Sequence, residues 1–200
     1  MYLTRSDVLK RYNKDLFIRP LLEESQIGEI TTDFRLGYDF HISSQGRNST
    51  LNASLINNEN QSIDDSFTQT RRRPGETFVL YPNQTVLAIS LEYLKLPNDI
   101  SLLLGLRSSY SRLGLHSSSM FQPGYVGCLS IEITNVNKIP INVTVGSRLF
   151  QGRFVSMNEK SNYFHKKRKY SCQTRPKVSA LHEDSDLIFL KKYFDSLQSS

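Results

Sequence analysis

Glu132 is the residue of this 200-residue sequence best placed to act as a base. Apolar and polar residues alternate over 129–134, so in a β-strand Glu132 would share one face with Ser130 and Thr134. A carboxylate in this position could face solvent at a strand edge, which these six residues alone favour by roughly two to one. It could instead line a pocket and act as a general base.

A second group, Arg107, Ser108, Ser109 and Arg112, follows an apolar strand and a glycine. Guanidinium groups offer forked donors, serine hydroxyls offer single donors, and the start of a helix adds backbone N–H groups, a set that can bind a polyphosphate. The alternative is a capped short helix with two surface arginines. Without further context the two readings are about even.

Zinc chemistry is not expected. The two cysteines, Cys128 and Cys172, and the four histidines have the spacing of neither a zinc site nor a disulfide framework. The H-x-E and P-C-x-x-C pair of zinc-dependent base deaminases does not occur. We therefore expect no protein-bound metal.

The charge and apolar patterns limit the other function classes. The net charge of +6 is concentrated at 71–73 and 165–169, and aromatic residues are not interleaved with these runs, so nucleic-acid binding is not favoured. No apolar run reaches the roughly eighteen residues that a membrane helix requires, and the first residues lack the apolar stretch of a signal peptide. We expect a cytoplasmic protein that does not enter the membrane.

The elements that must position these residues are mostly strands. A short amphipathic helix is predicted over 4–15, with Thr4 as N-cap and Asp7 three residues later. A strand follows over Ile30–Ile42, and residues 43–73 form a polar excursion with at most one short strand. After Pro74-Gly75, turn residues separate six further strands: Thr77–Tyr81, Thr85–Leu94, Ile100–Leu106, Gly127–Asn135, Ile141–Val145 and Arg148–Val155. Many short strands at this spacing indicate a sandwich or a jelly-roll-like barrel.

The C-terminal part differs in character. Residues 157–176 are basic and polar and are expected to be mobile, whereas residues 184–197 have the pattern of an amphipathic helix, with an apolar side formed by Leu187, Ile188, Leu190, Phe194 and Leu197. Such a helix usually packs on its own domain or on a partner subunit. We therefore divide the chain into a β-barrel domain (1–156), a basic tail or lid (157–182) and a C-terminal helix (183–200).

Several motifs in one order resemble the dCTP deaminase / dUTPase family. Leu106–Leu115 resembles the RSSLARLGL signature of dCTP deaminases, and Gln122–Glu132 resembles their DPG(W/F/Y)xGxxxLE segment. Thr32–Gly37 is similar to a T-x-D-x-R-L-G strand, and Lys169–Gln173 to a K-Y-x-x-Q tail motif. The resemblance extends over about residues 1–180.

The resemblance implies a distorted β-barrel of the dUTPase type and a homotrimer whose active sites lie between subunits. It implies that Glu132 activates the water that attacks the cytosine ring, with Ser108 and Arg112 close to the reacting base and supplied, with Arg107 and Ser109, largely from a neighbouring subunit. Other positions that match substrate-binding residues are Ser118, Gln122, Tyr125, Tyr163, Lys169 and Gln173. Mg²⁺ would accompany the triphosphate rather than occupy a protein cage.

Three departures bear on the activity. Gln122 stands where the family has an aspartate before Pro-Gly, and glutamine cannot accept a proton from the water that dUTPases direct at phosphate. The predicted hairpin His116–Phe121 is short, and Met120 stands where deaminases often carry a basic residue. The chain also continues beyond the usual tail with the predicted C-terminal helix, which could bind another protein.

The sequence therefore predicts a mainly β, dUTPase-type barrel with a short N-terminal helix and an extra C-terminal helix. Its predicted activity is zinc-independent hydrolysis of dCTP to dUTP and ammonia, with dUTP or dTTP as further nucleotide ligands. Two alternatives stay open: a bifunctional deaminase and diphosphatase that forms dUMP, and a degenerate trimer that binds nucleotides or proteins without turnover.

Overall fold

The computed structural model describes residues 1–43, 53, 63–166 and 168–198. Most of the predicted polar excursion, and Lys167 of the basic run, lie outside the described residues. Within them, the α-helices are α1 (Arg5–Arg11), α2 (Ser108–Ser111) and α3 (Ser185–Gln198). The strands are β1 (Phe17–Arg19), β2 (Thr32–Ser43), β3 (Phe67–Arg71), β4 (Thr77–Leu80), β5 (Thr85–Lys95), β6 (Ile100–Leu106), β7 (Leu115–His116), β8 (Ser118–Phe121), β9 (Val126–Asn135), β10 (Ile141–Thr144) and β11 (Arg148–Ser156).

The strands form one curled sheet and a two-stranded ribbon. The order in the sheet is β7-β9-β5-β2-β11-β6-β8, with β1 added to β5 and β3 to β2, while β4 pairs with β10. The pairs are antiparallel, and the sheet curls into a nearly closed barrel. The predicted fold class, mainly β and of the barrel type, is confirmed.

Apolar alternation explains why these segments become strands. In β9, Leu129, Ile131 and Ile133 are buried while their neighbours are not, so one face packs on the core and the other is accessible. The core also holds aromatic side chains, including Phe40 stacked on Phe78 at 4.0 Å between ring centroids. Each of the six strands predicted after Pro74-Gly75 is present, with both ends within one residue of the predicted bounds.

The N-terminal helix is shorter than predicted. Its predicted start is confirmed, because the Thr4 side chain accepts from the backbone of Asp7 and the Asp7 carboxylate accepts from the backbone of Thr4. The helix ends at Arg11 rather than at residue 15, since Tyr12 is extended and Asn13 adopts a left-handed conformation with φ 62°. The short strands β1 and β3 are not individually predicted from the sequence.

The predicted hairpin over 116–121 is wrong in its pairing. The strand β7 pairs with β9, whereas β8 pairs with β6. Only Ser117 separates β7 from β8, and a hairpin between two strands needs a turn of at least about two residues. Each short strand therefore extends a different neighbour, which brings β8 to the edge of the sheet.

The C-terminal helix is present, as predicted, over residues 185–198. No side chain on its predicted apolar side is fully buried: Leu187 and Leu190 are half-buried, and Ile188, Phe194 and Leu197 are exposed. Within the described residues this side is not packed into the chain's own domain, and packing on a partner subunit, the other expected arrangement, stays a prediction. None of the described helices combines the length and apolar character needed to cross a membrane.

Candidate active site

Glu132 lies on the accessible face of β9, as the alternation predicts. Its side chain is exposed between the buried Ile131 and Ile133, and its cross-strand partner on β5 is Leu87. Directly opposite residues share a face of an antiparallel pair, so the carboxylate stands beside an apolar side chain. Leu87 and Ser130 line the same cleft as Glu132.

The cleft has a volume of about 790 Å³ and lies between β9, β8 and the C-terminal tail. This volume is within the range typical of small-molecule sites. Of the residues that the sequence singles out, the fold gathers seven here: Ser118, Gln122, Tyr125, Glu132, Tyr163, Lys169 and Gln173. These residues come from positions up to 55 apart in sequence, so only the fold brings them together.

Backbone hydrogen bonds attach the tail to β9 at one side of the cleft. The Cys172 N–H donates to the Val126 carbonyl at 2.8 Å, and the Cys128 N–H donates to the Gln173 carbonyl at 2.7 Å. Gly127 permits this approach. It has φ +146°, and a β-carbon there would lie 2.9 Å from the Gln173 nitrogen. The tail therefore packs in a groove that a side chain at residue 127 would block.

Gln173 and Ser119 present unsatisfied polar atoms in the cleft. The Gln173 side chain is buried, with 3% exposed, and neither its Oε1 nor its Nε2 has a hydrogen-bond partner among the described residues. Within the same part of the chain the buried hydroxyl of Ser119 has no partner either. Buried polar groups without partners each cost about 1–3 kcal/mol, so such atoms in a cleft are well suited to a polar ligand.

A cluster of aromatic rings closes the end of the cleft between the β8–β9 turn and the tail. Tyr125 contacts Phe121 and Phe164 edge to face, with centroids 4.8 and 6.1 Å apart, and Phe164 contacts Tyr163 at 5.0 Å. Burial raises the pKa of Tyr125, whose hydroxyl donates to the Cys128 carbonyl at 2.6 Å. Tyr125 is therefore a protonated structural anchor rather than a base.

Cys128 is not suited to nucleophilic chemistry. Burial, followed by the nearby charge of Glu92, raises the pKa of its thiol to about 11. The thiol is therefore protonated at neutral pH, and the thiolate is the reactive form.

Three cations of the tail line the cleft. Lys169 Nζ forms an ion pair with Asp184 Oδ2 at 2.9 Å. Arg168 Nε donates to the Tyr163 carbonyl at 2.8 Å, and its guanidinium lies 4.1 Å from the centre of the Tyr163 ring. Lys177 forms no ion pair within the part of the chain that the structure describes. The cleft thus combines a carboxylate on a strand with positive charge on the tail.

The second predicted group does not reach this cleft. Arg107 Nε lies 3.6 Å from Asp33 Oδ2, and its Nη1 donates to the Arg148 carbonyl at 3.4 Å. Ser108 and Ser109 begin α2, and Arg112 is exposed immediately after it. Within this chain the structure therefore divides the predicted site residues into two separate groups.

Several residues of the cleft were not predicted as site residues from the sequence. Leu87, Phe164, Arg168, Lys177 and Asp184 are among them. Leu87 could have been found only from the pairing of β5 with β9, and Asp184 only from the path of the tail. The described residues contain no group of three His, Cys, Asp or Glu that could hold a metal ion.

Comparison of the sequence with known proteins identifies a family. The dCTP deaminase-like family model matches residues 2–157. A protein from Methanosphaera stadtmanae named dCTP deaminase, dUMP-forming, is 30% identical over 194 residues, which cover 93% of this chain and 96% of the relative. A similarly named protein from Methanobrevibacter smithii is 30% identical, with 94% and 99% covered.

A relative from Natronomonas pharaonis named dCTP deaminase is 28% identical over 194 residues, covering 93% of this chain and 97% of that protein. The crystal structure of 2'-deoxycytidine 5'-triphosphate deaminase from Agrobacterium tumefaciens superimposes with a TM-score of 0.57 at 24% identity. The match covers 76% of this chain and 47% of that one, so this chain spans about half the length of the solved protein. This likeness concerns the fold.

Proposed function

This chain belongs to the dCTP deaminase-like family, and we propose that it is an enzyme that hydrolyses the amino group of dCTP. The observation that carries the proposal is the position of Glu132. It is a carboxylate on the accessible face of β9, inside a cleft whose tail side carries positive charge. A pyrimidine triphosphate needs both features, a base for the ring and cations for the phosphates.

In the proposed reaction Glu132 accepts a proton from a water molecule while the water oxygen forms a bond to carbon 4 of the cytosine ring, and the electron pair of the C4–N3 double bond moves to N3. The protonated carboxyl group then gives its proton to the amino nitrogen, the bond between carbon 4 and this nitrogen breaks, and ammonia leaves. The remaining proton of the new C4 hydroxyl group moves to N3 as the ring carbonyl forms. One residue acts first as base and then as acid, which is typical of positioned carboxylates. No zinc enters this step, in keeping with the absence of a zinc-deaminase motif from the sequence.

The tail is proposed to hold the remainder of the nucleotide. Lys169 supplies an ammonium group, and the buried amide of Gln173 offers a donor and an acceptor that no described residue uses. Because the described residues offer no acidic or histidine cage, Mg²⁺ would enter with the triphosphate and neutralise part of its charge. Ser118, Gln122, Tyr125 and Tyr163 complete the proposed pocket.

A neighbouring subunit is proposed to complete the site. Arg107, Ser108, Ser109 and Arg112 lie away from the cleft of their own chain, although their guanidinium and hydroxyl groups suit a charged nucleotide. A homotrimer with shared sites would bring these groups to the cleft of the next subunit. The separation of the two groups within one chain supports this arrangement.

The product is either dUTP or dUMP, and two observations favour different outcomes. Two of the relatives described above are named dUMP-forming, which favours a second step that removes diphosphate. Gln122 favours dUTP, because its amide lines the cleft but cannot accept a proton from an attacking water. Deamination is common to both candidates, and the dUMP-forming activity is the second candidate function.

Incubation of the purified protein with dCTP and, separately, with dUTP in the presence of Mg²⁺ distinguishes the candidates. Formation of dUTP and ammonia from dCTP supports deamination alone, and formation of dUMP from both nucleotides supports the bifunctional enzyme. Glu132→Gln should reduce deamination at least about a hundredfold. The matched control Glu29→Gln, at an exposed glutamate outside the cleft, should leave it unchanged. Binding of dCTP without any turnover would contradict the proposal and favour the degenerate trimer.

A further inference from the structure

The ion pair between Lys169 and Asp184 links the cleft to the segment before α3. Asp184 lines the same cleft as Glu132, and its Oδ2 accepts from Lys169 Nζ at 2.9 Å. Asp184 lies in the part of the chain that continues past the family motif at 169–173 and past the matched residues 2–157. The contact therefore joins the tail motif to the segment that precedes α3.

The carboxylate of Asp184 is held in position by the start of α3. Its Oδ1 accepts from the Asp186 N–H at 3.1 Å, and its backbone carbonyl accepts from the Ile188 N–H at 3.0 Å. The hydrogen bond from Lys169, followed by the one from Asp186, lowers the pKa of the carboxyl group. Asp184 is thus an ionised, oriented group that presents an anionic oxygen to Lys169.

A phosphate oxygen and a carboxylate oxygen make the same kind of contact with an ammonium group. Asp184 Oδ2 takes one of the three N–H donors of the Lys169 ammonium group and offsets its charge, so a phosphate that approached this group would meet a carboxylate of the same sign. Arg168 does not relieve this competition, since it is engaged with the carbonyl and the ring of Tyr163. A triphosphate therefore gains the full charge of Lys169 only when Asp184 is displaced.

We propose that Asp184 is an internal competitor that occupies the Lys169 ammonium until phosphate oxygens displace it. The inference rests on the proposed function, because it takes Lys169 as a phosphate-binding residue. Ligands with phosphates at this position compete with Asp184 for Lys169, whereas ligands without phosphates leave the ion pair in place. Asp184 therefore weakens the binding of triphosphates specifically and makes the release of the C-terminal segment part of nucleotide binding.

Calorimetric titrations in the Glu132→Gln background, which prevents turnover, test the proposal with dCTP, inorganic tripolyphosphate and deoxycytidine. Adding Asp184→Asn should raise the affinity for dCTP and for tripolyphosphate by roughly two- to fivefold, the range expected for a partly exposed ion pair. It should not change the affinity for deoxycytidine. Asparagine is also a good N-cap, so the start of α3 is kept. Asp186→Asn is the matched control, with the same change of charge in the first turn of α3, and it should have little effect.

The inference is overturned if Asp184→Asn and Asp186→Asn tighten binding equally, or if Asp184→Asn does not tighten it. It is also overturned if Asp184→Asn weakens binding, because Asp184 would then position Lys169 for the phosphates. In a Lys169→Ala background the effect of Asp184→Asn should vanish, which shows that it acts through this pair. If dCTP is deaminated but Asp184→Asn changes nothing, the inference alone fails. If Asp184→Asn tightens tripolyphosphate but the unmodified chain has no deaminase activity, the proposed function alone fails. If neither dCTP nor tripolyphosphate binds, both fail.

Discussion

Glu92 is a buried carboxylate whose ionisation should make the stability of this protein fall as the pH rises. Its side chain is fully buried, with Oε1 accepting from Gln26 Nε2 at 2.9 Å and Oε2 accepting from the Arg35 N–H at 2.9 Å. These hydrogen bonds favour the ionised form, but removal from water outweighs them. Burial raises the pKa of Glu92 from an ordinary 4.5 to about 7.

The sign of the effect follows from proton binding. Between pH 4.5 and about 7 the unfolded chain has lost the proton of Glu92 while the folded chain still holds it. A rise in pH therefore favours the unfolded state over this range, and the contribution levels off above about pH 7. At about 1.4 kcal/mol for each pH unit, the difference between 4.5 and about 7 corresponds to about 3 kcal/mol.

Glu92→Gln should remove this pH-dependent loss, because an amide does not ionise. Urea unfolding at pH values from 5 to 9, at one fixed protein concentration, measures the free energy of unfolding of both proteins. From low to high pH, the free energy of unfolding of the variant should rise by about 3 kcal/mol relative to that of the unmodified protein. At pH 5 the variant should be less stable by about 1–2 kcal/mol, since its amide nitrogen faces one of the two N–H donors.

Glu29→Gln provides the control, because it makes the same replacement at an exposed glutamate and should leave the difference between the two pH profiles unchanged. Parallel profiles for the unmodified protein and Glu92→Gln would refute the reasoning. They would mean that the pKa of Glu92 in the folded protein is close to its ordinary value, because the hydrogen bonds from Gln26 and Arg35 fully offset its burial.

Three further predictions concern the site and the tail. Arg112→Ala should abolish deamination, and co-expression with Glu132→Gln should partly restore it if subunits share sites; verified mixed trimers without recovery would contradict sharing. Gly127→Ala should weaken dCTP binding about tenfold in calorimetry, because its β-carbon would lie 2.9 Å from the Gln173 nitrogen; unchanged affinity would refute the seating of the tail. Truncation after Leu181 should lower the melting temperature by no more than about 2 °C, since every described side chain of α3 is at least partly exposed; a larger drop in scanning calorimetry would indicate docking on another subunit.

The sequence predicts the strands well where one face is buried. In β9 the alternation of Leu129, Ile131 and Ile133 with polar residues identifies the strand and the accessible side of Glu132. The same reasoning overextends α1, because a hydrophobic period does not reveal that Asn13 turns the chain into a left-handed conformation. Local patterns therefore predict elements and faces better than they predict where elements end.

Register and pairing could not be predicted from the sequence. That Leu87 faces Glu132 depends on the pairing of β5 with β9, and the positions are 45 apart in the chain. Glu92 adds to this, because it occupies a buried position of β5, in line with the buried Val86, Ala88 and Leu94, although its side chain is a carboxylate. A buried carboxylate breaks the hydrophobic pattern, and its partners Gln26 and Arg35 are distant in sequence.

The site motifs are predicted as one set, but the structure separates them in space. Glu132, Lys169 and Gln173 line one cleft, whereas Arg107 and Arg112 lie at the two ends of α2, away from it. The spacing of motifs along the sequence does not show which residues lie in the same cleft, so this separation could not be predicted from the sequence. The guanidinium of Arg107 meets Asp33 instead of a cleft residue, and the cations inside the cleft come from the tail. The chain thus places the proposed base and the proposed phosphate-binding residues of the tail in one cleft, while the two ends of α2 carry a second set of charged donors outside it. The proposed sharing of sites between subunits requires this distribution.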